Sequence, residues 1–237
     1  MRPEISVESA AAQLLEQGVA LLRGVFAAGA LERVGAATER GFEAVETNSG
    51  LAERCRFNRF SHSIPLASLE EFGCSGEELV APLSAPGLGN LFSEAMSGKW
   101  VCRLEHSWVR KKFAPVRDPG SHPQGWHQDG ALGVRFPAEA GTAILMTRLL
   151  TCWIPLNSCG NDSPGLEFVY RRQAGLLHFT ELDDAALRER FAAEEFWEPA
   201  LELGDGLVFL DNVLHRTYAR PDMRRDRLSV EYRIFPV

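Results

Sequence analysis

The sequence predicts a mainly β fold, a sandwich or barrel, with flanking α-helices. Two observations indicate this class. Short apolar segments separated by polar turns fill the second half of the chain, as in sandwiches and barrels. Segments with helical periodicity fill the first half, and helices followed by strands are typical of helices packed on one face of a sheet. We therefore expect helices over about residues 6–98 to buttress a sheet core over about residues 100–237, in one domain of residues 1–237.

Helical periodicity predicts the elements of the first half. Ser6 is the predicted N-cap of a helix whose apolar side chains recur with helical spacing as far as Leu15. A strand is expected over residues 19–26, a second amphipathic helix over residues 28–46 and a third helix near residues 89–97.

Alternating or continuous apolar runs predict the strands of the second half, and a helix near residues 183–195 interrupts them. The predicted strands cover residues 100–113, 143–156, 166–170, 197–203, 207–211, 213–219 and 227–235.

Composition excludes several classes of protein. The 237 residues carry a formal charge of −7, whereas general nucleic-acid binding needs a basic face. No apolar run approaches the roughly 20 residues of a membrane span, and the N-terminal segment is not typical of a signal peptide. The five cysteines are odd in number and form no C-x-x-C pair. These observations predict a cytoplasmic protein that binds neither nucleic acid nor a membrane, and they leave the oligomeric state open.

The segment Trp126-His-Gln-Asp-Gly130 carries the sharpest chemical signal. On an extended backbone His127 and Asp129 point to the same side, so both could reach one ion. An imidazole and a carboxylate supply two of the three ligands of a facial triad. Such a triad leaves coordination positions open and suits non-haem Fe(II).

His215 is the candidate third ligand. It follows a turn, a buried strand predicted over residues 207–211 and a second turn. A hairpin of this kind could return His215 to the mouth of a barrel beside His127. Ligand sites of small barrels lie at such mouths.

The segment Arg227-Leu-Ser-Val-Glu-Tyr-Arg233 places an arginine and a serine on one face of a strand. Its alternation points Arg227 and Ser229 to the same side. A guanidinium matches a carboxylate with two parallel hydrogen bonds, and a neighbouring hydroxyl adds another. If a dicarboxylate chelates the iron at one end, these side chains could bind its far carboxylate.

With these parts in order, the sequence resembles the phytanoyl-CoA dioxygenase family of Fe(II)/2-oxoglutarate-dependent dioxygenases. The resemblance covers most of the chain and rests on five segments. These are residues 18–26, Trp126–Gly130, residues 151–156 with 163–169, His215 and the arginine-bearing last strand. It implies a double-stranded β-helix, the jelly-roll of cupin-like proteins. It also implies an oxidoreductase that uses Fe(II), 2-oxoglutarate and O2, releases succinate and CO2, and oxidises a second molecule.

Carried over residue by residue, the resemblance makes His127, Asp129 and His215 the iron ligands. Arg227 would bind the distal carboxylate of 2-oxoglutarate together with Thr217, and Ser229 could add a hydrogen bond. The resemblance also places Trp153 in the wall of the cosubstrate pocket, although it could be plain core.

Two residues leave the cosubstrate assignment open. Gln128 lies within the metal motif and could contact the cosubstrate or face away from it. Arg225 is an alternative to Arg227, because the family arginine usually lies about eleven residues after the second histidine and neither residue has that spacing.

The substrate is described only loosely by the sequence. Arg59 and His62 lie in a stretch that mixes cations with aromatics and could bind an anionic or aromatic molecule. Trp108 alternates with His106 and Arg110 on a predicted strand and could face the cavity. In related halogenases a small residue replaces the carboxylate ligand, so Asp129 favours hydroxylation over halogenation. Desaturation, epimerisation and ring formation use the same iron and stay open. The expected reaction is oxidation of an unactivated C–H bond of a small molecule, with secondary metabolism as the expected setting. The alternatives are a catalytically silent jelly-roll module and another metal-dependent reaction on the same fold.

Overall fold

A computed structural model describes residues 7–118, 124–137 and 144–237 of the chain. The predicted N-cap Ser6 lies outside these residues, as does residue 143, where a strand was expected to begin. The helices that were predicted near the N-terminus are present as α1 and α2, with a strand between them. No helix within the described ranges is both long and apolar enough to cross a membrane.

The described residues form six α-helices, and most of them precede the main run of strands. The α-helices are α1 (Val7–Gln17), α2 (Ala28–Thr47), α3 (Ser49–Arg54), α4 (Gly76–Val80), α5 (Leu88–Met96) and α6 (Asp184–Arg190). Short 3-10 helices cover Leu66–Phe72, Ala81–Ser84, Leu104–His106, Asp129–Ala131, Phe179–Glu181 and Ala193–Glu195.

Within the described residues, ten strands form two antiparallel sheets. They are β1 (Val19–Leu22), β2 (Ser63–Pro65), β3 (Trp100–Cys102), β4 (Trp108–Lys112), β5 (Leu150–Pro155), β6 (Gly165–Val169), β7 (Phe196–Trp197), β8 (Gly206–Leu210), β9 (His215–Tyr218) and β10 (Arg227–Pro236). The larger sheet has the order β1-β8-β5-β10-β4-β2, with β3 paired to β10, and the smaller sheet has the order β7-β6-β9. This sheet-rich architecture with flanking helices is the predicted fold class.

One hydrophobic cluster joins the helices to the larger sheet. Leu14 of α1, Phe42 of α2 and Phe92 of α5 are buried with Ile154 of β5 and Tyr232 of β10 in this cluster. Burying such side chains is worth roughly 1.5–3 kcal/mol each. The helices therefore cover one face of the larger sheet and leave its other face to the functional site. That residues 1–237 form one domain stays a prediction.

Several predicted strands are shorter than expected. The strand expected over residues 19–26 ends at Leu22, and the one expected over residues 213–219 covers His215–Tyr218. Residues 100–113 are divided into β3 and β4 by the turn Leu104–His106, because the Ser107 hydroxyl donates to the Arg103 carbonyl at 2.8 Å and breaks the ladder. In the described part of the predicted strand over 143–156, the strand is limited to Leu150–Pro155, since Thr147 N–H instead donates to the Gly130 carbonyl at 2.9 Å.

The segment 183–203 also differs from its prediction. The helix α6 ends at Arg190 and a 3-10 turn replaces its expected last residues. The strand expected over 197–203 is reduced to β7, because Pro199 has no N–H to donate to a ladder.

Candidate metal site and the cavities beside it

The chain brings the two predicted histidines together through main-chain hydrogen bonds. His127 and His215 form an isolated antiparallel bridge, with N–H···O distances of 2.9 and 3.0 Å in the two directions. The bridge places His127 at the edge of the smaller sheet, beside the first residue of β9. Asp129 lies in a 3-10 turn rather than on a strand, so the expectation that His127 and Asp129 share one extended strand is wrong.

The three predicted metal ligands nevertheless converge. Nε2 of His127 lies 3.9 Å from Oδ1 of Asp129, and Nε2 of His215 lies 3.8 Å from the same oxygen. One ligand atom from each residue falls within 4.8 Å of the others, which is the spacing of a group that could hold one ion. Residues separated by more than eighty positions in the sequence therefore form one donor set.

Hydrogen bonds fix the orientation of both imidazoles. Nδ1 of His127 lies 2.8 Å from the Gly125 carbonyl and Nδ1 of His215 lies 3.1 Å from the Val213 carbonyl. A carbonyl only accepts, so each Nδ1 carries the proton and each Nε2 keeps a lone pair for a metal. In the structure without metal, the Nε2 lone pair of His127 accepts a hydrogen bond from the Gln124 amide at 3.0 Å. Burial lowers the pKa of His127 to about 3, and it lowers the pKa of His215 as well. Both rings are neutral at pH 7, as metal ligation requires.

The protein binds the Asp129 carboxylate through only one of its two oxygens, Oδ2, within the described residues. Its Oδ2 accepts hydrogen bonds from the Thr151 hydroxyl at 2.6 Å and from Nη1 of Arg233, while Oδ1 faces the histidines. Burial would raise the pKa of Asp129, but the Arg233 guanidinium and the hydrogen bond from Thr151 keep it below its usual range. The carboxylate is therefore ionised, with only Oδ1 free for an ion.

Gly130 explains the last position of the metal motif. A Cβ at this residue would lie 2.9 Å from the Asp211 carbonyl oxygen, to which the Gly130 N–H donates at 2.7 Å. A side chain would push these backbones apart and displace Asp129. Glycine is required at position 130 because its backbone lies so close to that of Asp211.

The register of β10 explains which side chains face the site. Arg227 and Ser229 lie opposite Lys112 and Arg110 of β4, and Glu231 lies opposite Trp108. Side chains directly opposite in an antiparallel pair share a face. On its other side, β10 places Glu231 and Arg233 opposite Trp153 and Thr151 of β5. One face of the larger sheet is therefore lined with polar and aromatic groups, while the helices cover the other.

A cavity of about 370 Å³ contains Arg227 and Thr217, and its lining reaches Gln124 and Gly125 beside the metal motif. The other basic residues in its wall are Arg110, Lys111 and Lys112, and no acidic side chain of the described residues lines it. We call it the basic cavity.

Arg227 is 3% exposed and its guanidinium lies 5.4 Å from the centre of the Trp153 ring. Nη1 donates to the Gly165 carbonyl at 3.0 Å, but the buried Nε has no hydrogen-bond partner among the described residues. The buried Ser229 hydroxyl likewise has no partner in the described part of the chain. Unpaired buried groups of this kind are costly unless a ligand satisfies them. Arg225 is exposed, outside the basic cavity.

A second cavity, of about 330 Å³, opens on the metal motif itself. His127, Asp129 and Arg233 form its inner end, and Trp108 and Arg110 form part of its wall. We call it the metal-side cavity. His106 also lines it, so all three residues predicted to alternate toward a cavity face this one.

Three residues that were predicted to contact the cosubstrate or the substrate lie outside both cavities or have their polar atoms bonded within the fold. The Gln128 amide donates to the carbonyls of Gly175 and Asn212 and accepts from Leu177 N–H, so its polar atoms are used within the fold. His62 stacks on Phe42 and contacts Glu46 at 3.0 Å, away from both cavities.

Arg59 is exposed, and its guanidinium lies 5.8 Å from the Phe57 ring rather than in a cavity. Aromatic packing explains why this stretch mixes cations and rings. The structure therefore gives Arg59 and His62 no place in either cavity.

Sequence reasoning missed four residues of the site. Arg233 and Thr151 hold Asp129, and Glu231 lies between Arg110 and Arg233 at 2.7 and 3.5 Å. The alternation that selected Arg227 and Ser229 continues to Glu231 and Arg233, so it could have found these two. Gln124, whose amide lies 3.0 Å from Nε2 of His127, had no comparable signal.

Comparison with known proteins gives a consistent picture of the fold. No family model and no curated protein matches the sequence. Solved structures do match. AviO1 from Streptomyces viridochromogenes Tue57 has 16% identity and a TM-score of 0.65, over 99% of this chain and 96% of that one. EctD from S. alaskensis with bound Fe has 16% identity and a TM-score of 0.69, over 98% and 77%.

A third structure is described as the non-heme alpha ketoglutarate dependent epimerase SnoN from nogalamycin biosynthesis. It has 17% identity and a TM-score of 0.60, over 97% of this chain and 82% of that one. This chain has the jelly-roll fold of these proteins. At such low identity the likeness extends to the fold alone, and the chemistry has to be argued from the site.

Proposed function

We propose that the protein is an Fe(II)/2-oxoglutarate-dependent oxygenase that oxidises an unactivated C–H bond of a small molecule. The observation that carries this proposal is the convergence of His127, Asp129 and His215 beside a basic cavity with an unsatisfied arginine. A donor set of two neutral imidazoles and one carboxylate is the facial triad of non-haem Fe(II) oxygenases. The fold that the chain shares with EctD and SnoN supports the same chemistry.

The three ligand residues would hold the iron. Both imidazoles present Nε2 and the carboxylate presents Oδ1, with the remaining polar atoms already bonded to the protein. The bound iron, together with 2-oxoglutarate and O2, supplies the oxidising power, and 2-oxoglutarate leaves as succinate and CO2. Arg233 and Thr151 would keep Asp129 a one-oxygen ligand, which leaves room for the cosubstrate and O2.

The basic cavity fits a dianion. Arg227 would bind the distal carboxylate with its free Nε, and the Ser229 hydroxyl would donate a second hydrogen bond. Thr217 lines the same cavity and could contribute another. The guanidinium lies over the Trp153 ring, and this contact would help to fix its direction. These residues bind and orient the cosubstrate and exclude water from it.

Asp129 also bears on the reaction outcome. Because a carboxylate fills the position that halogenases leave small, the proposal is hydroxylation rather than halogenation. SnoN is described as an epimerase and SnoK as a carbocyclase, so these outcomes belong to the same fold. We further propose that the protein belongs to the phytanoyl-CoA dioxygenase family. We also propose a cytoplasmic location, because the five cysteines are free thiols, as is usual in a reducing compartment.

The test is to add Fe(II) and 2-oxoglutarate to the purified protein without O2. A weak visible charge-transfer band that needs both components is expected, followed by succinate when O2 is admitted. Iron binding without the band would favour another metal reaction on this fold. Absence of iron binding at micromolar metal would favour a catalytically silent module.

A further inference from the structure

We infer that the substrate carries a negatively charged oxygen group next to a flat ring, and that Arg110 and Trp108 bind these two parts in the metal-side cavity. This inference rests on the proposed function, because it takes the cavity that opens on His127 and Asp129 as the substrate site. With a volume of about 330 Å³, the cavity lies at the lower end of the range for small-molecule sites.

Arg110 presents an unused donor to this cavity. Its Nε and Nη2 donate to the same oxygen of Glu231, at 2.9 and 2.7 Å. No hydrogen bond to a described residue uses Nη1. The side chain is 17% exposed and lines both the metal-side cavity and the basic cavity. A guanidinium held in place by Glu231 is preorganised to bind one more oxygen anion.

The charged side chains around the two cavities predict the sign of the substrate's charge. Arg110, Arg227 and Arg233 are opposed there by Asp129 and Glu231, so these five side chains sum to one positive charge. The two lysines in the wall of the basic cavity are compensated separately, because Lys111 is paired with Glu46 at 2.9 Å and Lys112 interacts with Asp118. A divalent metal and a dianionic cosubstrate cancel each other. The loaded site therefore retains one excess positive charge, and leaving it uncompensated in a buried site is costly. A monoanionic substrate would balance it.

Trp108 supplies the surface for a ring. Its indole lines the cavity, and neither its ring nor its Nε1–H has a partner among the described residues. Buried or half-buried indole N–H groups usually find an acceptor. His106, next along the wall, tilts against Phe235 at 5.6 Å and closes this side. A flat molecule that bears an acceptor could lie against the indole with its anion near Arg110.

The test compares benzoate with benzamide, which have the same shape and differ in charge. Each is titrated calorimetrically, without O2, into protein saturated with Fe(II) and 2-oxoglutarate. The expected result is that benzoate binds at least about tenfold more tightly than benzamide, because only the carboxylate forms a charge-assisted pair. Saturation with 2-oxoglutarate excludes binding of benzoate in the basic cavity.

Variants assign the preference to the two residues. Arg110→Gln should remove the preference for benzoate, and Arg110→Lys should retain part of it. Trp108→Ala should weaken both probes to a similar degree and leave their ratio unchanged. Arg103→Gln, an exposed arginine outside both cavities, is the matched control and should change neither.

Equal affinities for the two probes, absence of binding by both, or a preference that survives Arg110→Gln would overturn the inference. The visible band of the iron and 2-oxoglutarate complex is recorded in the same samples. If the band forms and the preference is absent, only the substrate class is wrong. If the band does not form, the proposed function is wrong.

Discussion

The two faces of β10 border cavities of very different chemistry. On one face, Arg227 lines the basic cavity of about 370 Å³, whose described lining holds basic but no acidic side chains. On the other, Leu228 lines a cavity of about 630 Å³ in which four acidic and four basic residues balance. The larger cavity has no net charge, and among the described residues its carboxylates form no cluster that could hold a metal ion. What distinguishes the basic cavity from the larger one is therefore its unbalanced charge and its unsatisfied hydrogen-bond donors, and not its volume.

The largest effect should come from Asp129. Asp129→Ala removes one ligand and should weaken Fe(II) binding by more than the roughly 10–100-fold that loss of an outer-shell partner costs. Succinate production should be lost with it. Metal affinity by calorimetry and succinate by chromatography check this.

Glu43→Gln is the control for Asp129, because it removes a carboxylate that lines the larger cavity. It should bind metal and release succinate like the unmodified protein. Full turnover by Asp129→Ala would disprove the ligand assignment.

The second effect separates two arginines that lie two residues apart. Arg227→Met should raise the Kd for 2-oxoglutarate at least about 30-fold, because the distal carboxylate is left buried and unpaired. Arg225→Met alters the larger cavity and should leave the Kd within about twofold. The anaerobic charge-transfer band titrated with 2-oxoglutarate measures both. The reverse order would move the cosubstrate to Arg225.

The third effect concerns the orientation of Asp129. Arg233→Gln removes the charge on Oδ2, so the carboxylate is free to turn, and metal affinity should fall roughly tenfold or more. Arg233→Lys should restore part of it, because it restores the charge but not the fixed geometry. Co(II) spectra of both variants report the coordination number. An unchanged spectrum and affinity in Arg233→Gln would show that Arg233 does not position Asp129.

The smallest effect should come from Ser229. Ser229→Ala removes one hydrogen bond to the cosubstrate, worth about 0.5–1.5 kcal/mol, and should raise the Kd for 2-oxoglutarate about two- to tenfold. The hydroxyl has no partner among the described residues, so the protein without ligand should lose no stability. A lower melting temperature with an unchanged Kd would assign Ser229 a structural role instead.

The sequence by itself determined the fold class, and it predicted which residues have the chemistry of a metal and cosubstrate site. The order of His127, Asp129, His215 and Arg227 was readable because ligand types and strand alternation are local properties. The substrate contacts in the stretch around His62 were not readable, because a cation beside aromatic rings looks the same in a packed cluster and in a cavity.

Only the tertiary structure decided which of these side chains meet. The bridge between His127 and His215 joins segments more than eighty residues apart. The strand register places Arg233 opposite Thr151, and from there Arg233 also reaches Asp129. Arg227 is buried in the wall of the basic cavity, whereas Arg225 is exposed outside it. Such choices depend on long-range packing and strand register, which no local pattern in the chain specifies.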